Sequence, residues 1–461
     1  ALLHDLGHLP FSHVLEGAFG QGIEPLVRNC SEDSREASKG MVFRMPFKEH
    51  EVITYFILTN NDEFRSTLKE VLPNIDLRIV KAMLHADIIG KIMEVVPSYL
   101  DIIDYEDGKF LKSLNNESRP FNILRSLVSG DLDADRIEYI LRDSYLTGAS
   151  IGSTISIGDI ERIFDNMRIV NNGNEYALAF DEKARANLEG FVIARYNIYK
   201  YVYLHHKVVL FNTLARNLLG ALLRNYDALN DEFRDYLCKL YHFSTGFLRG
   251  YDIMYITDDY LLSILLKSRQ YLISKVPGVS KYLDPLITRN TVYKALWKRD
   301  FDFIYLINNQ GINLEFINDV FPLLLSKGES RDEVLQVFYK KLSEKLRNSP
   351  DKCISDLANN ELESLVLIGS RTFEPETKLN IIHGNKLVNI NDLSPLASSV
   401  AIAWRKSPHI FIFIDMAKLE SNCAGINVDG TLETIRNLVL MAMHETLLEL
   451  GGIISKYLKR P

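Results

Sequence analysis

The chain has 461 residues, a length at which a single hydrophobic core usually gives way to a large domain with a smaller one appended. Hydrophobic residues make up 47% of it and charged residues 25%, a composition that excludes a disordered chain. The formal net charge of -7 argues against a broad surface for nucleic acid, although a local basic pocket can still hold an anion. We therefore expect a small phosphorylated ligand rather than a duplex.

Cysteine spacing and apolar runs indicate a cytoplasmic protein. The four cysteines are far apart in sequence and form no C-x-x-C pair, so we interpret them as separate, reduced thiols. The longest apolar runs, such as residues 410–414, are far shorter than the roughly 20 residues of a membrane helix, so no membrane partner is expected. The chain opens at Ala1 inside a motif, and we expect that an N-terminal segment is missing.

The first two thirds of the chain are predicted to be mostly α-helical. Up to about residue 310, apolar residues recur at helical spacing, as in Val52, Tyr55 and Phe56. Polar, irregular stretches at 29–48 and 108–120 predict loops, the first of which is a candidate lid over the site.

One β-hairpin interrupts this helical pattern. Two β-prone runs within residues 167–180 flank the sequence Asn171-Asn172-Gly173-Asn174, and an Asn-Gly pair between such runs predicts a hairpin turn. Asp181 is then a candidate N-cap. The helix that it would begin runs from about 182 to 226 without a proline and is predicted to be a continuous central spine.

The last hundred residues have a different pattern. Runs at 379–382, 387–390, 400–404 and 410–414 predict strands, and residues 430–450 predict a final helix. We therefore divide the chain into a helical domain at 1–310, a helical connector at 311–351 and a small α+β domain at 352–461. The predicted fold class is mainly α, with a short β-hairpin in the helical part.

The first thirteen residues, ALLHDLGHLPFSH, carry the strongest chemical motif. On a helix, His4 and His8 would share a face and Asp5 would adjoin it, so that imidazole and carboxylate groups converge on one divalent ion. A bend at Gly7 and Pro10 would bring His13 to the same pocket. The alternative is a capping aspartate with histidines satisfied in the core, which three histidines and an aspartate within ten residues make improbable.

A second motif is KEHEV, at residues 48–52. His50 and Glu51 open a helix after the predicted lid, where an acid–base pair could act on a bound phosphate. A helix start rich in glutamate also arises from pairing with the helix dipole alone, so this motif taken by itself is weak.

A third motif is SGDLDADRIEYILRDSYLTG, at residues 129–148. In a helix from about residue 131, Asp135, Tyr139 and Asp143 would lie on one face with Arg136 at its border. The alternative is a solvated face with Asp–Arg pairs.

A fourth group lies on the predicted spine helix. Arg195, Tyr199 and His206 are four and seven residues apart, and eleven residues is close to three helical turns. A cation with aromatic rings on one face suits a phosphate and a base or sugar. The alternative is a packed aromatic stripe with one arginine reaching out to solvent.

Taken together, HDLGHLPFSH and SGDLDADRIEYILRDSYLTG resemble the HD-domain deoxynucleoside triphosphate triphosphohydrolases, over residues 1 to about 310. The resemblance implies an HD-type helical core and the hydrolysis of a deoxynucleoside triphosphate to deoxynucleoside and inorganic triphosphate. The implied metal ligands are His4, Asp5 and Asp135. The implied roles of the other residues are His8, His13, His50 and Glu51 around the scissile phosphate, Arg136 and Arg195 on phosphates, and Tyr139 and Asp143 on the sugar.

The cofactor implied by this ligand set is a divalent ion. A mixed imidazole and carboxylate site suits Mg, Mn, Fe, Ni or Zn, and the sequence does not choose among them. The family also uses an upstream histidine that this chain does not contain, which is a second reason to expect a missing N-terminal segment.

Two other functions stay open from the sequence. One is a generic HD phosphatase or phosphodiesterase acting on other nucleotides, and the other is a non-catalytic nucleotide sensor. Clustered carboxylates repel one another without a metal, which favours an enzyme over a sensor. By analogy with the family, we further expect a homo-oligomer, whereas the sequence leaves open whether a second nucleotide acts as an allosteric effector.

Overall fold

The computed structural model describes residues 3, 5–31, 49–81, 123, 126–128, 130–147, 155–171, 176–247, 250–326, 328–359, 361–370, 379–423 and 428–451. In these residues the protein is mainly α-helical with two small sheets, which confirms the predicted fold class. The predicted loop at 108–120 and most of that at 29–48 lie outside the described residues. Asn29 and Cys30, at the start of the latter, belong to a helix.

Local sequence fixes the ends of several early helices. The Asp133 side chain caps α5 by accepting the Arg136 amide at 2.7 Å. Ser156 and Asp159 form a reciprocal capping box at the start of α6. The described helices before the hairpin are α1 (His13–Gln21), α2 (Glu24–Cys30), α3 (Glu49–Asn60), α4 (Asp62–Val71), α5 (Ala134–Leu146) and α6 (Ile157–Asp165).

The predicted hairpin is confirmed and belongs to a four-stranded sheet. Strands β1 (Met167–Asn171) and β2 (Tyr176–Asp181) pair antiparallel, with Met167 opposite Phe180. Strand β2 then pairs in parallel with a strand from the C-terminal region, so this sheet joins distant parts of the chain.

The predicted spine helix is not continuous. Residues 182–184 form a 3₁₀ turn, α7 spans Arg185–Ile198, a π-helical turn spans Tyr199–Tyr203, and α8 spans His206–Arg224. No proline or glycine marks this interruption. A tertiary contact holds it instead, because Lys200 in the π turn donates to Asp300 at 2.6 Å and to Tyr196 at 2.7 Å.

Four helices follow α8, and the first of them packs on α2 and α3. It ends at Gly246, which adopts a left-handed conformation with φ of 77° and lies against the backbone of Phe56. The four helices are α9 (Asp231–Thr245), α10 (Asp258–Lys267), α11 (Arg269–Lys275) and α12 (Ser280–Thr288).

A second, three-stranded sheet forms late in the chain, in the order β3 (Tyr293–Ala295), β7 (Ile410–Asp415), β4 (Val366–Ser370). All pairs are antiparallel, and β7 is buried along its whole length because it is the central strand. The four-stranded sheet is completed by β5 (Asn380–His383) and β6 (Lys386–Asn389). Three of the four predicted C-terminal strands are thus confirmed.

The fourth predicted strand, at 400–404, is wrong, because these residues lie inside a helix that begins at Pro395. Ala397 and Trp404 are buried seven residues apart, which is two helical turns, and that period outweighs the strand preference of Val400 and Ile402. The helices of this region are α13 (Asp300–Asn309), α14 (Phe321–Ser326), α15 (Gly328–Arg347), α16 (Lys352–Leu357), α17 (Leu362–Leu365), α18 (Ile390–Leu393), α19 (Pro395–Lys406), α20 (Met416–Asn422) and α21 (Val428–Glu449).

The chain forms two compact units, neither of which is one continuous stretch. The first comprises residues 1–194, 214–288 and 377–394, and the second comprises residues 195–213, 289–376 and 395–461. The division falls within α7 and α8, so each of these helices contributes to both units. The sequence-based boundaries at 310 and 351 stay a prediction.

The cysteines are paired, contrary to the expectation of separate, reduced thiols. Cys30 is joined to Cys238 with a Cα–Cα distance of 5.3 Å, and Cys353 to Cys423 with 5.2 Å. Their separations of 208 and 70 residues conceal this proximity in the sequence. One pair lies within each unit. No helix among the described residues is both long and apolar enough to cross a membrane.

Candidate active site

Residues 5–12 form two turns joined by a short irregular stretch rather than the helix assumed from the sequence, and the first regular helix begins at His13. His4 lies outside the described residues. The segment is docked on α3 through Gly7, whose amide donates to the Thr54 hydroxyl at 2.9 Å. A Cβ at Gly7 would lie 2.0 Å from the His50 carbonyl oxygen, so only glycine allows this approach. The close contact places His8 beside His50.

Glu16 is the centre of the candidate site. Its side chain is 1% exposed, and its Oε1 lies 2.6 Å from Nδ1 of His8. Its Oε2 lies 3.1 Å from Nδ1 of His13 and 3.4 Å from Nδ1 of His50. Three histidines from the first two motifs therefore converge on one buried carboxylate.

The three imidazole rings also contact one another. The rings of His8 and His50 stack at 4.2 Å, and the His13 ring meets each of them edge-on at 4.8 Å. The structure thus brings together three residues that the sequence predicted around a scissile phosphate.

The sequence reasoning did not single out Glu16. It stands one helical turn after His13, among buried Leu15, Ala18 and Phe19. A lone carboxylate on the apolar face of a short helix is the pattern that could have found it, since such a group is rarely buried without partners.

The cluster contains strongly shifted groups. Burial acts to lower the pKa of His8, but hydrogen bonding to Asp5 and Glu16 outweighs it and raises that pKa to about 9. Burial acts to raise the pKa of Glu16, but its contacts with His13, His50 and His8 hold it far below the usual range. Burial lowers the pKa of His50 despite the nearby Glu16. Near neutral pH, Glu16 is therefore ionised, His8 is a cation and His50 is neutral.

The cluster also has the donors of a metal site. One ligand atom each from His8, His13, Glu16 and His50 lies within 4.8 Å of all the others. Nδ1 of His50 is buried and has no hydrogen-bond partner among the described residues, although it lies 3.4 Å from Oε2 of Glu16. A mixed imidazole and carboxylate set with an orphaned nitrogen fits a divalent transition metal.

Of the metal ligands implied by the family resemblance, Asp5 and Asp135 are described. Asp5 is exposed and its Oδ1 lies 3.3 Å from Nε2 of His8, so it adjoins the cluster. Asp135 is half-buried in the first turn of α5. Leu3 and Val128, close in sequence to these two carboxylates, pack in one apolar cluster with Leu58.

The third motif forms the predicted helix, α5, although it begins at Ala134 rather than near residue 131. Tyr139 and Asp143 are half-buried on it. Arg136 donates to the Gly130 carbonyl and lies 3.4 Å from Asp131 and 3.7 Å from Asp133. Its guanidinium is therefore already held by the turn that precedes the helix.

Glu51 follows His50 in α3 and is half-buried, while the His50 side chain is almost fully buried. The role of Glu51 at the scissile phosphate stays a prediction.

The fourth group lies in the second unit. Arg195 is buried, and its guanidinium carbon lies 5.9 Å from the centre of the Tyr199 ring. The π turn breaks the helix between Arg195 and His206, so the predicted spacing of three regular turns does not apply. His206 instead lines a small cavity with Lys294 and Lys298. Burial, then the nearby His205 and lysines, lower the pKa of His206 to about 4.

Comparison with known proteins gives distant relatives. No protein-family model matches the chain. An uncharacterised protein of Mycoplasma pneumoniae is 26% identical over 317 residues, covering 66% of this chain and 61% of that protein. The deoxynucleoside triphosphate triphosphohydrolase SAMHD1 of Gallus gallus is 26% identical over 298 residues, covering 64% of this chain and 41% of that protein. The chain thus spans about half the length of these curated relatives.

Among solved structures, a phosphohydrolase of Bacteroides thetaiotaomicron aligns with a TM-score of 0.44 and 19% identity. The alignment covers 90% of this chain and 78% of that one. Among these sequence relatives, the SAMHD1 protein is a triphosphohydrolase by name.

Proposed function

We propose that this protein is a metal-dependent phosphohydrolase that cleaves deoxynucleoside triphosphates to deoxynucleoside and inorganic triphosphate. The observation that carries the proposal is the buried Glu16 carboxylate in contact with three imidazoles, beside Asp5. Such a cluster offers a fixed negative charge, a cation and a neutral base within a few ångströms of one another. The similarity to a named deoxynucleoside triphosphate triphosphohydrolase supports the choice of substrate.

His13 is the proposed general acid. Its Nδ1 faces Glu16, so Nε2 is the nitrogen left to face outward from a side chain that is 71% exposed. A buried carboxylate on one ring nitrogen fixes the orientation of the ring, as in carboxylate–histidine pairs of hydrolases. His13 can therefore give a proton from Nε2 to the nucleoside oxygen as its bond to the α-phosphorus breaks. A water molecule forms the new bond to that phosphorus and loses a proton to solvent, so that the products are nucleoside and triphosphate.

His8 and His50 complete the proposed charge arrangement. His8 lies between two carboxylates, with Nδ1 at Glu16 and Nε2 at Asp5, and remains a cation near neutral pH. That cation offsets negative charge gathering at a bound phosphate. His50 is neutral and buried against Glu16, so it can accept a proton from within the cluster.

The proposed metal would be held by Asp5 and Asp135 together with His4, which lies outside the described residues. A divalent ion bound there would polarise a phosphate oxygen and neutralise charge in the transition state. The cluster around Glu16 is a second set of possible metal ligands. The metal content of substituted proteins distinguishes the two sets.

The proposed substrate contacts come from α5. Arg136 would bind phosphate, because the preceding turn holds its guanidinium in place. Tyr139 and Asp143 would bind the sugar. Arg195 and Tyr199 lie in the second unit, and their roles at the substrate stay predictions from the sequence.

His206, which the sequence predicted to suit a phosphate and a base or sugar, lies in the second unit and lines a small cavity. Lys294 and Lys298 beside His206 give this cavity a positive character suited to phosphate. Assembly as a homo-oligomer and a cytoplasmic location complete the proposal.

The deciding experiment incubates the protein with each deoxynucleoside triphosphate and Mg or Mn, and separates the products by ion-exchange chromatography. Release of nucleoside and intact triphosphate supports the proposal. Stepwise release of single phosphates would replace it with a generic phosphatase. Nucleotide binding without turnover of any of the four, alone or mixed, would favour a sensor.

A further inference from the structure

A strained turn directly precedes the candidate acid His13. Phe11 and Ser12 have φ values of 59° and 49°, and Ser12 combines its φ with a ψ of -134°. This combination is that of the first central residue of a type II′ turn, a position dominated by glycine. Among the described residues only one other non-glycine residue, Arg289, has a positive φ. Two consecutive strained residues persist only where the surrounding structure holds them.

The turn sets the spacing of the cluster. His8 stands before it and His13 after it, and both direct Nδ1 to the same carboxylate of Glu16. Leu9 and Pro10 are buried on the near side, and Leu15 is buried on the far side. The path between these anchored ends is short, so a change in the turn would move His13 relative to Glu16.

One side chain from a distant part of the sequence holds the apex. The Phe11 amide donates to Oδ1 of Asp258 at 2.7 Å, across 247 residues of sequence. Asp258 is the first residue of α10, where Thr257 caps the helix by accepting the Tyr260 amide. The acceptor is therefore fixed on a regular element rather than on a loop.

We propose that Asp258 is a positioning residue for the reaction, acting by holding the Phe11–Ser12 turn so that His13 stays aligned on Glu16. The inference rests on the proposed function for its catalytic consequence, while the clamp itself is a property of the fold. Asp258 touches none of the reacting groups in this scheme. Its effect reaches the chemistry only through the backbone of the turn.

The test compares Asp258→Ala with Asp259→Ala, its exposed neighbour in the same first turn of α10. We expect Asp258→Ala to lower kcat about tenfold with KM within twofold, and Asp259→Ala to behave as the wild type. Asp258→Asn should retain most of the activity, because its side-chain oxygen can still accept the Phe11 amide. Equal activity of the two alanine variants would overturn the proposal.

A second substitution separates positioning from general loss of structure. Glycine adopts the conformation of Ser12 without strain, so Ser12→Gly should recover at least half of the activity that Asp258→Ala loses. A purely structural defect in α10 would not respond to a change in a turn 246 positions away. Failure of this rescue, with a lower Tm in Asp258→Ala, would assign Asp258 a structural role only.

Hydrogen exchange tests the clamp without any assay of activity. Peptides covering residues 7–16 should exchange faster in Asp258→Ala than in Asp259→Ala, because the Phe11 amide loses its acceptor. If the wild type hydrolyses no nucleotide, the proposed function fails. The exchange result still shows whether Asp258 holds the Phe11–Ser12 turn. Unchanged exchange in these peptides would refute it.

Discussion

His8 and Glu16 are joined by a contact of 2.6 Å between Nδ1 and Oε1, although one lies in a turn and the other in α1. The contact matters because His8 also reaches Asp5 with its other nitrogen, so one imidazole links an exposed carboxylate to a buried one. A cation in that position keeps two negative charges close together. The remaining two imidazoles, of His13 and His50, contact the other oxygen of the Glu16 carboxylate, and His13 is the more exposed of the two.

Removing the charge of Glu16 should abolish most of the activity. Glu16→Gln keeps the size of the side chain but removes the negative charge that orients His13 and keeps His8 protonated. We expect kcat to fall by about 100-fold or more, within the range of a lost acid–base partner. Steady-state release of triphosphate measures the effect.

The matched control for this substitution is Glu161→Gln, an exposed glutamate of α6. It should leave kcat unchanged. A Glu16→Gln protein as active as this control would show that the carboxylate does not take part in the reaction.

Gly7→Ala should destabilise the fold because it forces α3 away from the turn segment. The added Cβ would lie 2.0 Å from the His50 carbonyl oxygen and 2.6 Å from the Thr54 amide nitrogen, which are backbone atoms. We expect the free energy of unfolding to fall by about 3 kcal/mol. Differential scanning fluorimetry and denaturant titration would measure this loss.

Gly158→Ala serves as the comparison, because its Cβ would meet only the Ser156 hydroxyl at 3.8 Å. Its stability should change by less than about 1 kcal/mol. Similar losses in the two variants would mean that close packing at Gly7 is not the cause.

The site was largely predictable where its residues lie close together in the sequence. His8 and His13 belong to one motif, and His50 belongs to a second motif at the start of a helix. Their residue types alone therefore suggested a common pocket. Glu16 was not predicted, since its burial depends on α3 packing against α1. The local pattern marks Glu16 as a carboxylate on an apolar helix face, but it does not identify α3 as the helix that covers it.

The fold departed from prediction where tertiary contacts outweigh local preference. Residues 182–226 contain no proline, yet the helix opens into a π turn that Lys200 fixes by pairing with Asp300. The cysteine pairs show the same limit, because 208 residues separate Cys30 from Cys238. In each case the contacting residue lies too far away in the sequence to be included in a local pattern of ten or twenty residues.

The Cys30–Cys238 pair should stabilise the first unit by restricting its unfolded chain. Under oxidising conditions, Cys238→Ser is expected to lower the free energy of unfolding by about 2–4 kcal/mol. In excess dithiothreitol the difference from the wild type should nearly vanish, since both proteins then lack the bond. Mass spectrometry of unreduced peptides should find Cys30 linked to Cys238 and Cys353 to Cys423. Four titratable thiols in the denatured, oxidised protein would contradict both bonds.

Acidification should lower the stability of the folded protein because His206 stays neutral in it. Its pKa is lowered to about 4, first by burial and then by His205 and the neighbouring lysines, whereas an unfolded histidine titrates near 6.5. Below pH 6.5 the unfolded chain takes up a proton that the folded one does not, so stability is lost as the pH falls from 6.5 towards 4. His206→Gln, which does not titrate, should therefore gain Tm relative to the wild type over this interval.

His444→Gln is the control for the loss of a histidine elsewhere in the second unit. Its difference in Tm from His206→Gln should be small at pH 7.5 and should widen on acidification. Parallel curves for the wild type and His206→Gln between pH 7 and 4 would contradict a lowered pKa for His206.

Metal content should decide between the two donor sets. Both oxygens of Glu16 already face imidazole nitrogens, whereas Asp5 is exposed and contacts His8. We therefore expect Asp135→Asn to bind less than one tenth as much Mn as the wild type after chelation and reloading, and Glu16→Gln to retain its metal. Asp165→Asn, an exposed residue of α6, should bind as the wild type does. Plasma mass spectrometry gives the stoichiometry, and loss of metal from Glu16→Gln with full binding by Asp135→Asn would place the ion among the histidines instead.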